Sequence, residues 1–383
     1  MNSIPVVEKI MTDFAESTGL LQDENPPRRY LWTDAFAVCN FLELYRRTEE
    51  AGWRQTALDL VEQVHNTLGR HREDDPRTGW ISGLSEEEGK RHPTMGGLRI
   101  GKEMKERQLD EPYDERLEWD RDGQYYHYLT RWMHALNRVS RSTGDPVYNS
   151  WAIELAKAAH NGFVQVLKDG SKIMYWKMSI DLSYPQVPSM GQHDALDGLV
   201  TYHQLQATAV ALSAPGLDLV SEIADMAGLC QGRRWATDDP LGIGGLLCDA
   251  YKIARLIMDN SFTDKGLLKD LLESSMAGVN AYSTSRSLKL PAAYRLAFRE
   301  LGLAIGLHAV ERMEELTTRE KSDQLAESRP VMSVFRPHFH LGETIEKFWL
   351  DPQNRQAPSW SEHRDINSVM LATSLAPDGY LEL

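Results

Sequence analysis

Two kinds of helix alternate along this chain, and that alternation limits what it can fold into. One kind is apolar nearly all round, with small residues interleaved: YLWTDAFAVCNFLELY (30–45), GQYYHYLTRWMHALNRV (123–139), ALDGLVTYHQLQATAVAL (195–212), LGIGGLLCDAYKIARLIM (241–258), PAAYRLAFRELGLAIGLHAV (291–310) and the shorter DINSVMLATSL (365–375). A helix with no polar face has to be covered on several sides. The other kind carries one apolar stripe and one charged face: WRQTALDLVEQVHNTLG (53–69), PVYNSWAIELAKAAHNGF (146–163), GLDLVSEIADMAGLC (216–230) and DKGLLKDLLESSMAGVNAY (264–282). Such a helix covers a neighbour and faces water. Asp145 followed by Pro146 reads as an N-cap with proline at the first helical position.

Each buried helix is tied to its surface helix by a short link (TEEAG, STGD, SAP, DNSFT), which makes the two antiparallel neighbours. The links back into the next buried helix are long: 70–121, 165–193 and 327–361. The buried helices therefore run parallel to one another. The pattern predicts an all-α, double-walled ring, an (α/α)6 toroid, formed as one domain over residues 1–383. Two segments compete for the fifth outer place, EELTTREKSDQLAES and GETIEKFWLD (342–351). The sixth buried helix has no partner after it. The N-terminal stretch, with Ile4, Val7, Ile10, Met11 and Phe14 near helical spacing, is the candidate to close the ring. No fixed repeat period exists, which argues against a superhelical array. The one β-like stretch, SKIMYWKMSI (171–180), is expected as a small hairpin inside a long loop.

Over roughly residues 4–375 the chain resembles the six-hairpin glycosidase superfamily. YLWTDAF and LEWDRDGQYY are similar to the Trp-Asp stretches at inner-helix starts in several of its branches. The resemblance implies carbohydrate chemistry, with the sugar in a funnel at the N-terminal ends of the inner helices. Independently, long loops are where sites are usually built.

A net charge of -14 sets the surface against phosphate backbones and anionic membranes, so neither nucleic acid nor membrane is expected as a partner. Cys39, Cys230 and Cys248 are odd in number and far apart, and read as small buried hydrophobes in a reducing compartment. The N-terminus lacks the basic start and apolar run of a secretory signal, so a cytoplasmic location is expected. No cofactor is expected, and no metal: His338 and His340 in RPHFH lack a clear third ligand. The expectation is a monomer or homodimer acting on a small saccharide.

Gathering the inner-helix starts around one funnel makes distant acidic residues candidates for one site. These are Asp34, Asp120 and Asp122, Asp194 with His193 and Asp197, and Glu362 with His363, Arg364 and Asp365. Glycoside hydrolysis needs two carboxyl groups across the scissile bond, so the candidate catalytic pair is Asp120 or Asp122 with Asp34, Asp194 or Glu362. Aspartate is also a preferred N-cap, so each has a purely structural reading too. Trp32, Trp119, Tyr125, Tyr126, Trp176 and Trp360 are expected to offer ring faces to sugar C–H groups. Trp132 and Trp151 lie further along their helices and read as packing residues. Arg99 and Lys102, in the Gly-rich loop 79–106, are placed to clamp an anionic group on the substrate. Arg295 and Glu300 read as a buried polar pair. The reaction stays open between hydrolysis of a short oligosaccharide and, if histidines flank the sugar, epimerisation of the N-acylglucosamine 2-epimerase type. A non-catalytic sugar-binding barrel is the third reading.

Overall fold

The computed structural model describes residues 3–21, 27–107, 111–213, 218–319 and 323–382. It is all-α apart from short strands, and it forms two compact units. One comprises residues 15–231. The other comprises residues 232–383 together with the N-terminal helix α1 (Ile4–Ser17) as far as Phe14.

Residues 15–231 hold α2 (Leu31–Thr48), α3 (Ala51–Leu68), the short α4 (Glu86–Arg91) and α5 (Glu115–Asp120), then α6 (Tyr126–Thr143), α7 (Pro146–Phe163), α8 (Asp194–Ala211) and α9 (Val220–Cys230). As the sequence pattern requires, α6 packs between α2 and α8, and α3, α7 and α9 back the three in turn. Every residue of α2 from Leu31 to Leu44 is buried. The Asp145 carboxylate accepts the Val147 N–H, so α7 starts where the Asp-Pro pair predicts.

Residues 232–383 repeat the plan with α10 (Pro240–Met258), α11 (Lys265–Thr284), α12 (Ala297–Arg319), α13 (Arg329–Ser333), α14 (Phe339–Leu350), α15 (Pro358–Ser361), α16 (Arg364–Leu375) and α17 (Asp378–Leu381). Here α12 lies between α10 and α16, while α11 backs α10 and α14 backs α12. The GETIEKFWLD segment thus takes the fifth outer place. The fifth buried helix starts later than expected: Pro291 opens an irregular strap with one 3-10 turn over Ala292–Tyr294, and α12 begins at Ala297. Arg295 and Glu300 form the buried pair expected of them, at 2.6 Å, and Glu300 also accepts the Trp349 indole N–H.

The small residues of the buried helices let backbones touch. A Cβ on Gly244 of α10 would stand 2.0 Å from the Gly302 carbonyl oxygen of α12, and one on Gly306 would stand 2.6 Å from Gly244 Cα. Gly244→Ala therefore has to push two inner helices apart. A loss of about 1–3 kcal/mol is expected by denaturant titration; an unchanged midpoint would show that this contact is slack.

His308 on α12 sits between Glu311 (2.7 Å) and Glu346 of α14 (2.8 Å), and Ser374 of α16 donates to the same Glu346. Burial opposes the imidazolium, but the two carboxylates outweigh it and raise His308 to about 9. The folded value lies above the ordinary one near 6.5. Its stabilisation is therefore complete below about pH 6.5 and fades as pH rises toward 9. Thermal unfolding of His308→Gln should lack that decline, and an identical pH profile would remove His308 as its cause.

The β structure departs from the single hairpin expected at 171–180. β2 (Val164–Val166) pairs with β3 (Lys172–Met174), whereas β1 (Gln124–Tyr125), β4 (Lys177–Met178) and β5 (Pro185–Val187) form a second sheet in the order β1-β4-β5. The chain changes partners between two residues: the Tyr175 N–H bonds back to Phe163, and the Trp176 N–H bonds to Ser189. Among the described residues no helix is long and apolar enough to cross a membrane; Cys39 and Cys248 are buried and Cys230 is half-buried.

Candidate active site

The N-terminal ends of α2, α6 and α8 meet, and the loop strand β4 comes to the same place. Tyr125 is the N-cap of α6, still extended as part of β1, so the helix proper starts at Tyr126. That start puts His127, Tyr128 and Arg131 on one face and turns Tyr126 away. The Tyr128 ring contacts Tyr30 and Trp32 at the head of α2, at 5.6 and 6.5 Å between centroids. Tyr125 stacks on Trp119 (6.1 Å), and Trp119 meets Trp176 edge-on (5.0 Å). His127 lies within this cluster, 5.4 Å from Tyr125, 4.8 Å from Tyr128 and 6.3 Å from Trp176.

His127 is the chemically versatile group here. The Trp176 indole N–H donates to its Nδ1 at 3.3 Å. An indole can only donate, so the neutral ring carries its own proton on Nε2. Asp194, the first residue of α8, places Oδ1 3.8 Å from the same Nδ1. Burial lowers His127 to about 4, with Asp197 opposing and Arg131 assisting. Its side chain is nonetheless 28% open to solvent, so it is a neutral and reachable imidazole at pH 7. Asp197 is held by Arg131 at 3.2 Å. A Cβ on Gly191 would come within 2.4 Å of Asp194 Oδ2, so that glycine leaves room for the carboxylate. His193, the N-cap of α8, is half-buried beside them.

Two lysines brace the rings. The ladder register sets Lys177 opposite Tyr125, and its Nζ lies 5.0 Å from that ring's centroid. The ammonium of Lys177 donates to the Glu118 and Arg121 carbonyls, and that of Lys102 to the Trp119 carbonyl. Burial and the nearby Lys102 push Lys177 down to about 7, against Asp122, Glu118 and Asp120.

Of the carboxylates expected here, Asp194 joins the cluster. Asp120 ends α5 beside Trp119, is exposed, and makes no hydrogen bond or ion pair among the described residues. Two others are corrected. Asp122 is fully buried: Oδ1 accepts the N–H groups of Gly101, Lys102 and Gly123, and Oδ2 accepts from Arg99 (2.9 Å) and Arg72 (3.5 Å). No lone pair is left for a substrate, so it anchors the loop instead. Asp34, 1% exposed, accepts the Tyr30 N–H at its own helix start and pairs with Arg29 at 3.6 Å.

Arg99 is corrected likewise, because its guanidinium is spent on Asp122 and on the Thr67 and Arg70 carbonyls rather than held open for an anion. Tyr126 is also corrected; it is fully buried, with its hydroxyl donating to that of Tyr202. Trp32 is 5% exposed and packs on Phe36, leaving mainly an edge beside Tyr128. The remaining candidates belong to the other unit. There Trp360 is buried and stacked on Trp349, while Glu362, His363 and Arg364 are exposed around the start of α16, His363 against the Phe298 ring.

His127, Tyr128, Tyr30 and Arg131 were not singled out by the sequence. The signal available was the YYHY run at an inner-helix start, where two of the four rings must share one face.

The fold is all-α, built of paired inner and outer helices. No protein-family model matches the chain, and no curated protein does. Among solved structures, one similar chain is a sugar epimerase from a ruminal bacterium, at 11% sequence identity and a TM-score of 0.47, with 86% of this chain and 85% of that one covered.

Proposed function

We propose that this chain is a carbohydrate-active enzyme whose substrate, a small saccharide, lies against the rings of Trp119, Tyr128 and Trp176. Each unit holds three inner helices with outer helices packed behind them. Stacking suits a sugar's C–H face, and the indole and phenol edges suit its hydroxyls.

The reading favoured for the chemistry is proton transfer at carbon, that is, epimerisation or isomerisation of an open-chain sugar. One observation carries it: His127 is neutral, partly open and ringed by the platform. In this reading the Trp176 indole gives up Nδ1, whose lone pair then takes a proton from the carbon next to the carbonyl and leaves an enediolate. The Asp194 carboxylate then faces the new N–H, and delivery of a proton to the opposite face of that carbon gives the epimer, or to the neighbouring carbon the isomer.

Hydrolysis is the second reading, favoured by the unpaired Asp120 at the rim and by Asp194 across the cluster. Incubating aldoses, ketoses and short oligosaccharides with the protein in D2O separates the two. Deuterium at the carbon next to the carbonyl, lost in His127→Gln, supports proton transfer. Release of monosaccharide from an oligosaccharide, lost in Asp120→Asn and retained in His127→Gln, supports hydrolysis and overturns the favoured reading.

A further inference from the structure

The outer wall of residues 15–231 carries a cavity, of about 420 Å³, between α3 and α7. On α3, Gln55, Asp59, Glu62 and Asn66 recur at helical spacing and line one side. Tyr148 and Trp151, three apart on α7, line the other, with rings at 5.3 Å and 83°. Trp151 is fixed in place, since its indole N–H donates to the Arg91 carbonyl and its ring meets His65 edge-on.

His65 is the informative member. It is 4% exposed and lines this cavity. The Trp132 indole donates to its Nε2 at 3.2 Å, which leaves the ring proton on Nδ1. That N–H has no hydrogen-bond partner among the described residues and keeps some access to solvent from the cavity. Burial holds the ring neutral by lowering it to about 3, so Nδ1 remains a plain donor at any physiological pH. A ligand oxygen entering the cavity would satisfy it.

The rim decides the class of ligand. Asp59 and Glu62 offer acceptors, and neither forms an ion pair among the described residues. Lys90 and His65 offer donors, and the amides of Gln55 and Asn66 offer both. A simple organic cation would match the carboxylates and rings but leave the donors unmet. A neutral pyranose matches all of them, with hydroxyls that donate and accept and a C–H face for the rings.

We infer that this cavity is a saccharide-binding site separate from the His127 cluster, with Tyr148 and Trp151 as its stacking wall and the His65 N–H as its innermost donor. It does not rest on the reading given to His127.

The test is titration of the full-length protein with methyl β-glucoside, methyl β-galactoside, methyl α-mannoside and N-acetylglucosamine, followed by calorimetry and saturation-transfer NMR. At least one should bind with an isotherm that survives His127→Gln and Trp176→Ala. Tyr148→Ala should weaken that isotherm about 2- to 10-fold. Glu62→Ala, an exposed change that leaves the packing alone, should weaken it as well. The inference fails if no sugar binds, if every isotherm disappears with Trp176→Ala, or if neither Tyr148→Ala nor Glu62→Ala alters one.

Discussion

His127→Gln should abolish most turnover while leaving the fold intact. The expected loss is about 10²–10⁴-fold in rate, the usual contribution of a positioned acid–base group. Glutamine is close in size and can still accept from Trp176, so the ring cluster keeps its shape. The residue is partly open and carries no core packing, so the melting temperature should move little. Substrate affinity should also hold, because the proposed stacking falls to Trp119, Tyr128 and Trp176. In the unaltered enzyme, kcat/KM should decline as pH falls through about 4, where the imidazole charges and loses its Nδ1 lone pair. The decisive measurements are single-turnover rates and a pH profile. If His127→Gln kept wild-type turnover, the imidazole would be a packing residue and the proton-transfer reading would go with it.

The alternation of buried and half-buried helices was legible because burial writes itself into periodicity. It placed α7 to the residue and gave the partners of the first four inner helices through the lengths of the links. It also identified the helix starts where the candidate site lies, and with them Asp194, Tyr125, Trp119 and Trp176. What it missed follows from the same physics. The pattern predicts the second inner helix from Gly123, but Gln124–Tyr125 are strand and the helix begins at Tyr126. A helix turns about 100° per residue, so a small offset in its start exchanges Tyr126 for His127 at the site. Periodicity fixes that a helix exists more firmly than it fixes which side chain at its frayed first turn points where.

The carboxylates divide for a different reason. Asp34, Asp120 and Asp122 look alike in sequence, each an acid at the mouth of an apolar helix. What separates them is which donors the long loop 70–121 brings back to them. Arg72, Arg99, Gly101 and Lys102 all return to Asp122, and none bonds to Asp120. Such pairings join residues tens of positions apart through irregular backbone, where no periodic signal exists. The acid most embedded in its surroundings is thus the least free to react.

Asp122→Ala should then be among the most damaging single changes to stability. It removes one carboxylate and strands five donors: three backbone N–H groups and two guanidinium contacts. Arg99 is nearly buried, so its charge would be left without a partner where water barely reaches it. Removing one member of a buried pair typically costs about 3–5 kcal/mol, well above a surface change. The damage should reach the candidate site, since the same loop carries Lys102, which holds the Trp119 carbonyl under the ring platform. Urea titration monitored by tryptophan fluorescence should show the loss, and Asp122→Asn should recover part of it by keeping one acceptor oxygen. Pairing Asp122→Leu with Arg99→Met should be less harmful than Asp122→Leu alone, because it removes the stranded charge as well. The opposite pattern, full stability in Asp122→Asn with turnover gone, would mean that the carboxylate takes part in the chemistry after all, and the anchoring role assigned to it would be wrong.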